Sequence, residues 1–94
     1  DSNMASYSDR RAKEIVTDYS HNSAGGNWSV GENIAEGETS ASEVVNDWMN
    51  SAGHKANILS DVSTKISVSC YVEKFTYADG STQYLYHWVQ NFTH

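Results

Sequence analysis

The sequence has no proline, one cysteine, few basic residues and no long apolar run. A single cysteine, Cys70, excludes an internal disulfide, which is the usual stabilising link of small secreted domains. Six Lys and Arg residues against twelve Asp and Glu give a net charge of −6. Binding to nucleic acid or to an anionic membrane needs a concentrated positive face, so we expect neither partner. No apolar run reaches membrane-spanning length, so we expect no transmembrane segment.

What is present is typical of one folded domain. Ninety-four residues with 38% hydrophobic and 12% aromatic content favour a single globular domain over residues 1–94, with a core of modest size. Apolar residues recur at helical spacing over about 3–19 and predict a first helix. Ser40 and Glu43 form a capping-box pattern that begins a second helix over about 41–51, and Gly53 is its expected stop.

Two strands are predicted in the second half of the chain. They cover about 64–75 and 82–92 and are joined through the Asp79-Gly80 hairpin signal. In the first strand, apolar residues alternate with polar ones, so we expect one buried apolar face, formed by Ile66, Val68, Cys70 and Val72. The second strand is partly apolar on both faces, which favours an α+β fold with helices packed over a sheet. The expected core residues outside the first strand are Trp48, Ile58, Leu59 and Phe92.

Three of the four histidines, and one glutamate, lie in short segments next to glycine, asparagine or aromatic residues. The histidines are His21, His54 and His87, and the glutamate is Glu32. Neutral imidazoles and a carboxylate are suitable ligands for Zn²⁺, and they are also suitable acid/base groups. The same side chains can equally hydrogen-bond one another and hold loops to the fold. The residues alone therefore leave binding, catalytic and structural interpretations open.

These segments, taken in order, resemble the CAP (SCP) superfamily. That superfamily includes cysteine-rich secretory proteins, venom antigen 5 and plant pathogenesis-related class 1 proteins. The bacterial branch is the most similar, because it shares a Ser-x-Gly-His-x-x-Asn-Ile-Leu segment and often lacks disulfides. The matching motifs are His21, Gly31-Glu32-Asn33-Ile34-Ala35, Trp48, Ser51-Ala52-Gly53-His54-Lys55-Ala56-Asn57-Ile58-Leu59 and Trp88-Val89-Gln90-Asn91-Phe92.

The resemblance implies an α-β-α sandwich with a central antiparallel sheet of about three strands, and a secreted or cell-envelope location. It also implies a cleft that carries two histidines and two glutamates and takes a divalent cation such as zinc in several members. By position, the cleft residues here are His21, Glu32, His54 and His87. The expected metal ligands among them are His21, Glu32 and His54.

Two departures from the family pattern bear on function. The second family glutamate falls on Ser51, so the set of acids is incomplete. The resemblance also implies a helix before Met4, so the domain is expected to be short at its N-terminus. An apolar surface left uncovered by that helix would favour a homodimer.

The sequence therefore predicts a binding module rather than an enzyme, because the acid expected at Ser51 is missing. Its ligand or protein partner is not identified by the residues. The alternative is a metal-assisted hydrolase or peptidase in which Glu32 and His54 are catalytic. A third interpretation is a structural role, in which the cleft side chains only hold the fold together.

Overall fold

A computed structural model describes residues 2–23, 31–60 and 65–93. The chain runs α1 (Ser2–Thr17), β1 (Gly31–Glu36), α2 (Ala41–Met49), α3 (Ala52–Ile58), β2 (Lys65–Thr76) and β3 (Thr82–Thr93). The strands form one antiparallel sheet in the order β1-β3-β2. The predicted α+β fold is confirmed. Within the described ranges, no helix is both long enough and apolar enough to cross a membrane.

Helix α1 covers one face of the sheet. Its buried stripe repeats at helical spacing, as the sequence predicts, and consists of Met4, Tyr7, Ser8, Arg11, Ala12 and Ile15. Polar contacts join α1 to all three strands: Arg11 to Glu32 of β1, Asp9 to Ser69 of β2 and Ser8 to Asn91 of β3. We call this surface the α1 face.

Helices α2 and α3 lie on the opposite surface, the α2/α3 face. Trp48 of α2 is 1% exposed and packs with Val44, Ala35 and Trp88. Its Nε1 also donates to the carbonyl of Ile34 at 3.2 Å, which ties α2 to β1. The sheet thus lies between two helical layers, the α-β-α arrangement that the resemblance implies.

The start of α2 follows the sequence prediction, but its end does not. Ser40 is the N-cap, and its Oγ accepts a hydrogen bond from the Glu43 amide at 3.2 Å. The helix ends at Met49 with Asn50 as its C-cap, whereas Gly53 lies inside α3. The prediction of Gly53 as the helix stop was therefore wrong. The chain instead restarts a helix at Ala52, after Ser51 at its N-cap position.

The alternation of β2 was predicted correctly, but its apolar face lies on the exposed side. Ile66 is 56% exposed, Val68 is 45% exposed, and Cys70 is also exposed. The residue that is buried is Ser69, whose Oγ donates to Asp9 at 2.6 Å under α1. Helices α2 and α3 pack over β1 and β3, so the β2 part of the α2/α3 face is left without a helix over it.

The remaining core predictions were partly confirmed and partly wrong. Trp48 and Phe92 are buried, as expected. Ile58 is partly buried against the Trp48 cluster, but Leu59 is 63% exposed, and its assignment to the core was wrong. Leu59 is the C-cap of α3 and follows the last residue of the helix.

Candidate functional site

The Glu32 carboxylate is the centre of the most connected polar cluster on the α1 face. Its Oε1 accepts from Arg11 Nη2 and His21 Nδ1, each at 2.9 Å. Its Oε2 accepts from Arg11 Nε and Asn91 Nδ2, each at 2.8 Å. The Glu32 side chain is only 9% exposed. These four bonds bring α1, β1, β3 and the segment after α1 together at one carboxylate.

Arg11 supports this carboxylate from within the fold. Its side chain is fully buried and forms a two-bond fork with Glu32. Nη1 also donates to Glu14 Oε1 and to the Asn22 carbonyl, both at 2.9 Å, and Nη2 donates to the Ser20 carbonyl at 2.6 Å. A guanidinium has five N–H donors, so every donor of Arg11 is used. Because two acceptors flank His21 in sequence, Arg11 holds the segment that carries this histidine.

His21 presents the exposed end of the cluster. Its side chain is 59% exposed, and its Nδ1 lies 2.9 Å from Glu32 Oε1. A carboxylate can only accept, so Nδ1 carries the hydrogen in this contact. In a neutral imidazole this leaves Nε2 with its lone pair. The structure thus brings the predicted residues His21 and Glu32 together, with the imidazole held by a buried carboxylate.

Glu32 is ionised because its hydrogen bonds outweigh its burial. Burial on its own raises the pKa of this carboxyl, whereas hydrogen bonds from Arg11, His21 and Asn91 lower it. The net result is a pKa below the ordinary glutamate value. The same contact with Glu32 raises the pKa of Arg11, so the arginine stays charged and Glu32 is the partner whose protonation in acid breaks the ion pair.

This charge state predicts a loss of stability in acid. The pKa of Glu32 is lower in the folded chain, so the unfolded chain binds more protons between the two pKa values. The stabilisation is fully present above the unfolded pKa, and it is lost as pH falls through the folded pKa. Urea unfolding over a pH series measures it. We expect Glu32→Gln to be less stable at neutral pH and to show a flatter acid slope.

A matched control for this slope is Asp79. Its pKa is also lowered, first by the side-chain hydrogen bond from Ser81, but it lies in the exposed turn between β2 and β3. We expect Asp79→Asn to retain most of the acid slope of the wild-type chain. If Glu32→Gln kept the full slope and Asp79→Asn lost it, the role of Glu32 in acid stability would be wrong.

Asn33, the residue after Glu32, is hydrogen-bonded to α3 on the opposite side of the sheet. Asn33 is fully buried, and its Nδ2 donates to Gln90 Oε1 at 3.0 Å and to the His54 carbonyl at 3.2 Å. Asn57 Nδ2 donates to Asn33 Oδ1 at 2.9 Å and to the Glu32 carbonyl at 3.3 Å. These bonds hold α3 against β1. The contact described for His54 is therefore made by its backbone, within α3 rather than at the end of α2.

His87 lies in a different part of the α1 face. It is 1% exposed, with Nε2 at 3.1 Å from Glu73 Oε1 and Nδ1 at 3.5 Å from Glu36 Oε2. In the β1–β3 register His87 is opposite Glu36, whereas Glu32 is opposite Asn91. At the rise of an antiparallel strand, this separates His87 from Glu32 by roughly 13 Å. The structure does not bring His87 together with the His21–Glu32 pair.

The described residues do not form a metal-ligand set in this geometry. Nowhere in residues 2–23, 31–60 and 65–93 are three His, Cys, Asp or Glu side chains grouped so that they could hold a metal ion. The oxygens of Glu32 are already occupied, since each accepts two hydrogen bonds. In this geometry the His21–Glu32 pair therefore presents a single unused ligand atom, Nε2 of His21. Binding of a divalent cation by His21, Glu32 and His54 stays a prediction.

Arg11, Asn91 and Ser8 are site residues that the sequence reasoning did not identify. Ser8 Oγ donates to Asn91 Oδ1 at 2.7 Å, and Asn91 in turn donates to Glu32. The signal that existed was the position of Ser8 and Arg11 on the apolar stripe of α1. A charged residue is almost never fully buried without a partner, so an arginine at a stripe position indicates a buried acid opposite.

Comparisons with known proteins agree with the motif order. The family model described as the Cysteine-rich secretory protein family, CAP, matches residues 1–92. A stretch of 45 residues is 53% identical to the protein named "Uncharacterized protein YkwD" of Bacillus subtilis (strain 168). That match covers 48% of this chain but only 17% of the Bacillus protein. No solved structure matches the chain significantly.

Proposed function

The chain belongs to the cysteine-rich secretory protein (CAP) family, and on that premise we propose that it is a secreted or cell-envelope binding module. Its ligand contact is the imidazole of His21, held by Glu32. The observation that carries this proposal is the contrast between the two residues, since His21 is 59% exposed while its carboxylate partner is 9% exposed. An exposed polar group on a rigid, fully bonded support is the arrangement that precise binding needs.

The rigidity of the support favours binding over chemistry. All donors of Arg11 and both oxygens of Glu32 are used within the fold, so neither group is available for a reacting substrate. Ser8, whose hydroxyl belongs to this network, is fully buried and donates to Asn91. Ser51 stands where the family pattern has its second acid, and it makes no side-chain capping bond at the start of α3. The one free polar group of the pair is Nε2 of His21.

A metal-assisted hydrolase or peptidase is the alternative function. An imidazole oriented by a carboxylate through Nδ1 is also the arrangement of a general base, and the His21–Glu32 contact of 2.9 Å has that form. The alternative needs a nucleophile or an activated water at Nε2. It also needs His54 as a further contributor, whereas the bond described for His54 is made by its carbonyl.

Zinc is the probe that tests the site, because a lone imidazole nitrogen is a ligand for it. Since both oxygens of Glu32 are occupied, we expect zinc to bind weakly and through Nε2 of His21. Titration followed by the ring signals of the histidines should shift His21 first and leave buried His87 unchanged. We expect His21→Ala to weaken binding by about tenfold or more, because even the loss of a residue that only supports a metal ligand costs this much.

The control variant is His54→Ala, which tests the predicted third ligand. A further loss of zinc affinity in the His21→Ala/His54→Ala double variant would assign His54 to the same site. Equal affinity in the wild-type chain and the double variant would remove the cation part of the proposal. Turnover of a peptide or ester library that Glu32→Gln abolishes would replace binding by the hydrolase alternative.

A further inference from the structure

Within the part of the chain that the structure describes, strand β2 is an edge strand that lacks most of the features that usually protect an edge. It is hydrogen-bonded to β3 on one side and ends the sheet order β1-β3-β2. Its pairing with β3 runs without interruption from Lys65 opposite Thr93 to Thr76 opposite Thr82, so it contains no bulge. It also contains no proline, and its charged residues lie towards its ends. A long, regular edge of this kind is a template for another strand.

The backbone groups on the outer edge belong to the even-numbered residues of β2. The Tyr77 amide donates to the Ser81 carbonyl at the hairpin end, so the odd-numbered residues of β2 bond to β3. The Gly37 amide also donates to the Tyr86 carbonyl, so the even-numbered residues of β3 bond to β1. This leaves the odd-numbered residues of β3 to bond to β2, in agreement with the bond at Tyr77. By alternation, Ile66, Val68, Cys70 and Val72 direct their N–H and C=O groups outward.

Three of these residues carry the most exposed apolar side chains of β2. Ile66 is 56% exposed, Val68 is 45% exposed and Val72 is 44% exposed. The strand therefore offers a hydrogen-bonding edge and a row of apolar side chains together. A partner strand that satisfies both must match apolar residues with apolar residues along one face.

We propose that β2 pairs antiparallel with β2 of a second copy of this chain, about a two-fold axis at Ser69. The outward N–H and C=O groups belong to even-numbered residues, so each of these residues must lie opposite an even-numbered residue of the other copy. This requirement limits the possible registers. In the register centred on Ser69, Ile66 faces Val72 of the other copy and Val68 faces Cys70. The two three-stranded sheets then become one continuous six-stranded sheet with a shared apolar stripe.

Charge complementarity favours this register over the one centred on Cys70. Centred on Ser69, it places each Lys65 opposite Glu73 of the other copy, on the α1 face. Centred on Cys70, it would place Ile66 opposite Lys74 and Ser67 opposite Glu73. Opposite charges across a strand pair stabilise it, whereas a lysine facing isoleucine does not. A second copy therefore fits β2 with both its apolar and its charged residues.

The experiment is the molar mass of the chain in solution over a concentration series. We expect twice the 10.4 kDa chain mass at high concentration and the single mass on dilution. Val68→Lys should raise the dissociation constant by about tenfold or more, because it places a lysine in the middle of the edge. Val45→Lys is the matched control, since Val45 is 38% exposed but lies on α2. It should leave the dimer unchanged.

Hydrogen exchange gives a second readout that does not depend on a variant folding. On going from monomer to dimer, the amides of Val68, Cys70 and Val72 should gain protection, whereas those of Ser69 and Tyr71 should not, since β3 already protects them. A single mass at all concentrations would overturn the proposal. So would a dimer that persists in Val68→Lys, or one in which the even amides of β2 gain no protection.

Discussion

Replacing Arg11 with methionine is expected to lower the free energy of unfolding by about 3–5 kcal/mol, because it leaves a buried carboxylate without its cation. Glu32 would keep only the bonds from His21 and Asn91, at 9% exposure. The carbonyls of Ser20 and Asn22 would lose their donors in the same step. Urea unfolding monitored by tryptophan fluorescence measures the change. We also expect the His21 segment to exchange its amides faster in this variant.

Lys13→Met is the matched control for Arg11→Met. It removes a positive charge from the same helix at an exposed position, so the free energy of unfolding should change by no more than about 0.5 kcal/mol. The double variant Arg11→Met/Glu32→Met should be more stable than the sum of the single changes predicts, because the two residues share their bonds. Additive effects, or a loss below about 1 kcal/mol in Arg11→Met, would contradict a supporting role for this pair.

The second large effect is expected at Trp48, on the opposite layer. Trp48→Ala should lower the free energy of unfolding by about 3–5 kcal/mol. The substitution leaves a cavity beside Val44, Ala35 and Trp88, and it removes the bond to the Ile34 carbonyl. Trp48 is 1% exposed, so its side-chain contacts are made within the protein rather than with solvent. Thermal and urea unfolding measure the loss.

Two further variants separate the contributions of Trp48. Trp48→Phe keeps an aromatic ring but loses the Nε1 donor, so it should cost less than Trp48→Ala and leave the Ile34 carbonyl without this partner. Val45→Ala, one turn away and 38% exposed, should cost less than about 1 kcal/mol. If Trp48→Ala were no more destabilising than Val45→Ala, the cluster would not hold α2 on the sheet.

Helices α1 and α2 and strands β2 and β3 could be predicted because each has a periodic pattern of its own, whereas β1 and α3 were not predicted from a pattern. The stripe of α1, the Ser40 cap and the Asp79-Gly80 turn are local features, and each is where the sequence indicates. The exposed face of β2 was not predictable in this way. Alternation shows which residues share a face, but which face receives a helix depends on how α1, α2 and α3 are connected through the sheet.

The candidate site could be predicted only in part, and for a different reason. His21 and Glu32 follow from the order of motifs, whereas the position of Arg11 on the α1 stripe indicates a buried acid without showing which one. The acid is Glu32, which lies 21 positions later in the chain, and a helical pattern does not identify such a distant partner. His87 was identified from the sequence, but its surroundings were not. Its position beside aromatic residues does not reveal that its neighbours across the sheet are Glu36 and Glu73.

Glu32 and Asn33 are consecutive residues of β1, yet one carries the bonds to α1 and the other the bonds to α3. Successive side chains of a strand point to opposite sides, so this division depends on an unbroken count along β1. A one-residue slip of β1 against β3 would turn the carboxylate of Glu32 towards the amides of Asn57 and Gln90, and the amide of Asn33 towards the guanidinium of Arg11. A substitution at Glu32 or at Asn33 removes the bonds to one helical layer, whereas a register slip removes the bonds to both layers at once. The register of the Gly31–Glu36 strand against β3 therefore decides the position of both helical layers.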